Sequence, residues 1–266
     1  MTAVESTFIV NNVAQNYRER LVLIGCIALG IALCVAYSGL ADVPRILEGG
    51  PALWHLLGEM TPPDPSNWRS WLGPLMDTIA MSVAGTFLAV CLSLPLGFLA
   101  AANVSPHPVV YRLARSLLNT LRAVPELIMG ILFVAAVGFG ALPGVLALGL
   151  HSVGMVGKFF AEAVEHCDPK PVEAIRATGA NPLKVLVYGV MPQVLPQLAD
   201  ITVYRWEYNF RASTVMGMVG AGGIGFELMA SLRLMQYREV SAILLLILVM
   251  VTLVDALGSW LRGKCA

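Results

Sequence analysis

The feature that most limits what this chain can fold into is the spacing of its charges, because long stretches carry none. From Leu21 to Leu40 no residue is charged. A helix of that length, at about 1.5 Å per residue, is ~30 Å long, one hydrocarbon thickness of a bilayer. A second stretch without acidic or basic residues lies between Asp77 and Arg112, and Val240 to Leu261 is dense in Leu, Ile and Val. In lipid each backbone N–H and C=O must be satisfied within its own segment, which makes such runs helices. The reading is an all-α, polytopic membrane helix bundle of six spans. They are Leu21 to Leu40, Leu75 to Ala102 with Pro95 as a tolerated kink, Leu117 to Val137, a fourth that follows the break Gly138 to Gly144 and reaches Glu162, Pro182 to Tyr204, and Val240 to Leu261. A cleavable signal peptide is the rival reading of the first run. It would have a shorter apolar core and a small-residue cleavage site, whereas this run passes directly into Ala41-Asp42-Val43-Pro44, so a retained span is expected.

Composition agrees. Charged residues are 13% of the chain and mean hydropathy is +0.74, against about 25% charged residues in a soluble domain. Net charge is zero, so nothing global points to nucleic acid or another polyanion. Cys26, Cys34, Cys91, Cys167 and Cys265 include no C-x-x-C pair and read as small apolar fillers, with no metal site expected.

Lysine and arginine set the orientation. Arg18 and Arg20 precede the first span, Arg112, Arg115 and Arg122 fall between the second and third, Lys158, Lys170, Arg176 and Lys184 between the fourth and fifth, and Arg262 and Lys264 end the chain. The loop after the first span mixes Asp42, Glu48, Glu59 and Asp64 with Arg45 and Arg69. Both termini are therefore expected in the cytoplasm. The stretch from Arg205 to Glu239, with Arg205, Arg211, Arg233 and Arg238, is the exception, because it would lie outside or within the membrane.

Between the fourth and fifth spans the chain reads Asp168-Pro-Lys-Pro-Val-Glu173-Ala174-Ile175-Arg176-Ala177-Thr178-Gly179-Ala180-Asn181-Pro182. Asp168 can cap a helix, the prolines suit its first turn, Gly179 fits the left-handed position that ends it, and Asn181-Pro182 restarts one. Ala174 and Ala177 give this short helix a small-residue face that a partner's backbone can approach. An ordinary amphipathic interfacial helix satisfies the same local rules.

Glu173-Ala174, Gly179 and Met191-Pro192 resemble the EAA signature of ABC-importer permeases, E-A-A-x3-G-x9-I-x-L-P. The spacing matches throughout; Ile175, Gly189 and Met191 depart from the pattern. The resemblance implies a type I importer permease whose coupling helix sits in a groove of a separate ATP-binding cassette subunit. Glu173, Ala174, Ala177, Gly179 and Pro192 would then couple ATPase closure to permease motion. It implies no cofactor in this chain, with ATP and Mg bound by the ATPase dimer, and no catalytic residue here. In agreement, the sequence has no phosphate-binding G-x-x-x-x-G-K-[ST] loop: Gly157-Lys158 is followed by Phe159.

Beyond Trp206 the chain is rich in glycine. Gly220, Gly222 and Gly225 satisfy G-x-G-x-x-G, and Glu239 follows, but no strand or βαβ unit surrounds them, so a dinucleotide site is excluded by context. A broken, partly re-entrant helix fits better, since irregular backbone survives at membrane depth only beside protein or a water-filled cavity. The run Arg211-Ala-Ser213-Thr214-Val-Met-Gly217-Met-Val-Gly220-Ala-Gly222-Gly223-Ile-Gly225 is similar to that of phosphonate permeases. So are the run from Asn181 to Gln197 and Pro62-Pro63-Asp64 ahead of Asp77-Thr78. The likeness spans about residues 60 to 262. Methionine permeases share the glycine run but typically lack an added first span.

It implies transport of a phosphonate or related phosphorus oxyanion across the cytoplasmic (inner) membrane. Arg211, Ser213, Thr214, Gly220, Gly222 and Gly223 are the candidate pathway residues, where donors and positive charge would suit an anion. Arg211 equally could pair with Glu207, four residues earlier, to hold the fold.

Asp200 is read near the outer end of the fifth span, His151 as a satisfied interior histidine, Arg122 and Glu126 as an i,i+4 pair, and Pro192 and Pro196 as bends. Two domains are expected: 1–60, with the amino-terminal segment, first span and start of the outer loop, and 61–266, the permease core with its coupling loop at about 163–184. The partners implied are the ATPase dimer, an extracytoplasmic solute-binding protein and a second permease copy. A methionine or other small-solute permease, a secondary transporter, or a membrane enzyme using Glu162, Glu165 and His166 are the alternatives. The secondary transporter would show inverted repeats and paired intramembrane charges, which the sequence lacks.

Overall fold

Proline and glycine punctuate the apolar runs, and the helices stop and bend at them. A computed structural model describes residues 3–265, with side chains from 19 to 264. The side chains of Arg18 and Cys265, named above as a basic flank and an apolar filler, lie outside the described ones. In chain order the α-helices are α1 (Ala3–Tyr37), α2 (Val43–Glu59), α3 (Trp68–Leu99), α4 (Pro108–Ala123), α5 (Glu126–Val137), α6 (Ala141–Glu165), α7 (Pro169–Ala177), α8 (Pro182–Val185), α9 (Met191–Met216), α10 (Ile224–Arg233) and α11 (Tyr237–Cys265). The chain divides into two compact units, 1–59 and 60–266.

In the first unit α1 carries the apolar run, and its side chains from Glu19 onward are almost all exposed, a surface suited to lipid. Gly39, at φ +74°, turns the chain into α2, whose start is capped by Asp42 accepting the Arg45 N–H at 3.2 Å. The loop reading of this segment is corrected: it is a helix. Gly49-Gly50-Pro51 argues against one by propensity, yet Ile46, Leu47, Leu53, Trp54 and Leu57 recur at helical spacing on an exposed amphipathic surface.

In the second unit α6 is the central helix, buried along most of its length and contacted by α3, α4, α5 and α9. Glycine lets neighbours come close. A Cβ on Gly154 would stand 2.6 Å from the Leu118 carbonyl oxygen of α4, and one on Gly97 would stand 2.9 Å from Phe160. At the start of α3, the Asp64 N–H donates to the Arg238 carbonyl at 3.0 Å, and Arg238 Nε donates to the Pro62 carbonyl at 3.0 Å. This clamps the Pro62–Asp64 segment to the start of α11.

Among the described residues α1, α3, α6 and α11 can each cross a membrane by length and composition, and the number rises to as many as six if each of two bent pairs is one span. The bends correct two expectations. The third span is not one helix: α4 and α5 meet at 87°. Pro125 lacks an N–H, and the residue before it, Val124, is extended at φ −82°, ψ 121°. The fifth does not end at Tyr204: α9 continues to Met216, so Arg205 and Arg211 belong to that helix and not to the stretch beyond it. A 3₁₀ turn over Gly217–Val219 and a glycine loop then bend the chain by 44° into α10.

Candidate coupling and pathway sites

Local chemistry builds the elbow between α6 and α9 as expected. Asp168 accepts the Lys170 N–H at 3.0 Å to cap α7, with Pro169 in its first turn. Gly179 ends it at φ +77°, a conformation costly for other residues. Asn181 accepts the Lys184 N–H at 2.9 Å and restarts the chain as α8. Glu173, Ala174, Ala177 and Gly179 are exposed on this elbow, open to a partner, and Pro192 is exposed in the first turn of α9. Behind the helix lies a cavity of about 430 Å³, lined in part by Asn103, Cys167, Val172, Glu173, Arg176 and Val190. Burial there pushes the Cys167 thiol up.

Three further features tie the elbow to the bundle. The helix widens to a π-helical turn over Leu186–Val190, where the Met191 N–H reaches back to the Leu186 carbonyl. Pro192 follows directly. Its missing N–H leaves residue 188 without the usual helical donor, which favours the wider turn. Gln193, which the sequence reading did not single out, grips the start of α7. It accepts the Asp168 N–H at 3.0 Å and donates to the Asp168 carbonyl at 3.3 Å and the Gly189 carbonyl at 2.6 Å. Finally, two departures from the signature pattern are neighbours in space. A Cβ on Gly189 would stand 3.2 Å from Val172 Cα and 3.6 Å from Ile175 Cδ1. The large residue at 175 occupies the volume that a large residue at 189 would need.

Beside α6 the charges expected of a membrane enzyme are otherwise engaged. Arg115 pairs with Glu165 at 2.7 Å, Glu165 accepts the Ala102 N–H at 2.8 Å, Lys158 faces Glu162 at 3.9 Å, and His166 Nδ1 lies 2.7 Å from the Glu162 carbonyl.

The glycine-rich segment is a folded turn. Gly220, Gly222 and Gly223 have φ of +98°, +76° and +76°. A Cβ on Gly223 would meet Thr78 Oγ1 at 2.6 Å, and the same hydroxyl accepts the Ile224 N–H at 2.9 Å. Ser213 is buried and donates to the Phe210 carbonyl at 2.7 Å, with the Thr78 carbonyl at 3.2 Å. Thr214 donates to the Arg211 carbonyl at 2.7 Å. These contacts hold the break between α3 and the start of α6, where the Gly140 N–H reaches the Gly220 carbonyl at 3.4 Å.

Charge pairing differs from the local expectation in three places. Arg211 does not pair with Glu207: it meets Asp255 of α11 at 2.7 Å, while Glu207 meets Arg262 at 2.5 Å. Helix α11 runs antiparallel to α9 and brings its own charges. Asp200, 3.9 Å from Arg262, is at the elbow end of α9 and not the far end. Arg122 and Glu126 share no helix face, because the 87° bend falls between them, and Glu126 Oε1 accepts the Tyr208 hydroxyl at 3.2 Å. His151 is satisfied as expected, its Nδ1 lying 3.1 Å from the Val124 carbonyl.

At mid-depth is a buried polar layer that sequence reasoning missed. Ser152 donates to Asn209 at 3.0 Å, Asn209 donates to Thr86 at 2.9 Å, and Arg205 Nε donates to Ser152 at 2.8 Å. Among the described residues, the buried side-chain polar atoms without a hydrogen-bond partner are Glu126 Oε2, Arg205 Nη2 and Trp206 Nε1.

A bundle of candidate membrane spans with a capped and anchored helical elbow at one end has the make-up of a membrane permease. The chain belongs to the family described as binding-protein-dependent transport system inner membrane component, whose model matches residues 93–264. It is 67% identical over 237 residues to the phosphite transport system permease protein PtxC of Stutzerimonas stutzeri, covering 89% of this chain and 86% of that one. It is 44% identical over 221 residues to the phosphate-import permease protein PhnE of Mycolicibacterium smegmatis, over 82% of this chain and 41% of that one. In fold it resembles a chain of the MetNI methionine ABC transporter in an inward facing conformation, with TM-score 0.66 at 21% identity, covering 76% of this chain and 99% of that chain.

Proposed function

We propose that this permease imports phosphite, or a closely related phosphorus oxyanion such as a phosphonate, with energy from a separate ATP-binding cassette subunit. The observation that carries the solute is the 67% identity to a phosphite permease over 89% of the chain. The drive follows from the elbow, whose exposed Glu173, Ala174, Ala177 and Gly179 offer a compact docking face. ATP and Mg bind to the ATPase dimer, and a solute-binding protein delivers the oxyanion from outside. Two copies of the permease make the two halves of the path. Both termini are cytoplasmic on this reading, since Arg18 and Arg20 precede the first span, Arg112, Arg115, Lys170, Arg176 and Lys184 flank the inner ones, and Arg262 and Lys264 end the chain.

The solute's route follows α9 and its glycine break, where Arg211, Thr214, Gly220 and Gly222 keep exposed surface, while the buried Ser213 and Gly223 shape the break. Arg211 keeps an exposed face, its side chain 43% accessible beside Asp255. Weak, shared contacts suit a path, because the solute must also leave.

A tagged copy solubilised from membranes should bring down an ATP-binding cassette subunit, one for each permease chain. Isolation of the permease without such a subunit, still active in uptake, would sink the proposal.

A further inference from the structure

The most buried arginine of the bundle has no carboxylate against it. Arg205 is 2% exposed. Besides Ser152, its guanidinium meets the Met155 sulfur at 3.3 Å and lies 4.2 Å from the centre of the Tyr208 ring, leaving Nη2 without a partner. Arg115, Arg211 and Arg262, all less buried, each hold a carboxylate. Desolvating a guanidinium costs more than a hydroxyl and a ring face return, so buried arginines are ordinarily paired.

Across Tyr208 stands the converse. Glu126 spends Oε1 on the Tyr208 hydroxyl, and its Oε2 is buried and unpartnered. Arg205 and Glu126 do not close into an ion pair with each other. The Ser152–Asn209–Thr86 chain satisfies itself and fixes the hydroxyl that holds Arg205. It therefore orients the cation without neutralising it. Glu126 of α5, His151 of α6 and Tyr208 of α9 are only partly buried, so the rim of the cluster reaches the surface of the chain.

A free donor on a cation and a free acceptor on a carboxylate, both at one ring, call for a ligand that accepts at one edge and donates at another. A singly protonated phosphorus oxyanion does both. Its P–O⁻ oxygens accept from Arg205, and its P–OH donates to Glu126. A fully ionised dianion would be repelled by Glu126, and a neutral solute would leave Arg205 uncompensated. We propose that Arg205 and Glu126 form a two-sided site that takes the protonated oxyanion as it crosses the permease. This rests on the phosphorus-oxyanion reading given above.

The test uses proteoliposomes holding the permease with its ATPase and binding protein, with phosphite import and ATP hydrolysis measured together. Glu126→Gln keeps the shape and an acceptor for Tyr208 but can turn an amide N–H toward the P–OH. Arg205→Lys keeps the charge and removes the fork. In both, phosphite imported per ATP hydrolysed is expected to fall by roughly ten- to a hundredfold, the loss of a charged hydrogen bond, with the apparent KM for loaded binding protein as in the wild type. If Arg205→Lys does not reach the membrane, Glu126→Gln alone decides. A wild-type ratio, or a parallel loss of import and hydrolysis such as a structural role would give, overturns the site. Wild-type vesicles that import no phosphorus oxyanion overturn the reading of the solute, and this inference falls with it.

Discussion

Gly189 and Ile175 share one volume at the root of the elbow. Gly189→Ile would push a side chain against Val172 and Ile175, whose atoms already lie 3.2 and 3.6 Å from a Cβ built there. Overpacking of this kind costs about 1–3 kcal/mol, and Ile175→Ala in the same chain should return part of it, the contact with the Val172 backbone remaining. Thermal unfolding of the two single variants and the double variant checks this, since simple additivity would contradict the shared volume. Gly179 behaves differently. Its φ is +77°, and a Cβ there meets nothing within 4 Å. Substitution therefore strains the backbone by only about 1–2 kcal/mol and clashes with nothing in the chain. Gly179→Asp should leave the protein in the membrane at normal level and abolish uptake through the docking face. Wild-type uptake at normal expression would refute the docking role. These residues were legible in the sequence because caps, prolines and left-handed glycines act within a few positions of themselves. Arg205 was not. A charge seen without its three-dimensional neighbours reads only as one lying outside or within the membrane, whereas Ser152 and Met155, some 50 positions earlier, are what receive it.

At the scale of elements, α9 links elbow to bundle. Gln193 joins its first turn to the start of α7 by bonds to both backbone groups of Asp168. Gln193→Ala should free the Asp168 amide, raising its hydrogen-exchange rate about fivefold, the loss of ~1 kcal/mol of neutral hydrogen bonding. Unchanged exchange would mean that α7 is held by packing alone. Farther along, Glu207 has a side chain 7% accessible and paired with Arg262 of α11. Arg262→Ala would strand that carboxylate at a cost of about 3–5 kcal/mol, and adding Glu207→Gln should recover much of it. A double variant no more stable than Arg262→Ala, measured by thermal unfolding in detergent, would contradict the pairing. The sequence reading found the glycine break and placed the apolar runs, because charge-free length is a direct membrane signal. It joined α4 to α5 although Pro125 stood between them, since apolar character continues through a bend that hydropathy does not register. It offered Glu207 as one of two readings for Arg211 because i,i+4 spacing is visible along a helix, while an antiparallel neighbour such as α11 is not.

At the scale of the molecule, the arrangement separates power from selectivity. Gln193 and the π-helical turn join α7 to α9, which ends at the glycine break, so force applied to α7 would pass along this line. The proposed oxyanion site at Arg205 and Glu126 lies between α7 and the break. The class of the molecule was readable from its spans and elbow, and the family match over residues 93–264 agrees with it. The partner subunits that complete the machine lie beyond a single chain's contacts. The most direct measurement is ATP-dependent accumulation of phosphite in proteoliposomes that contain this permease, its ATP-binding cassette subunit and its binding protein. The account predicts accumulation that requires all three together with ATP and that Gly179→Asp stops. Accumulation by the permease alone, without ATP, would contradict it.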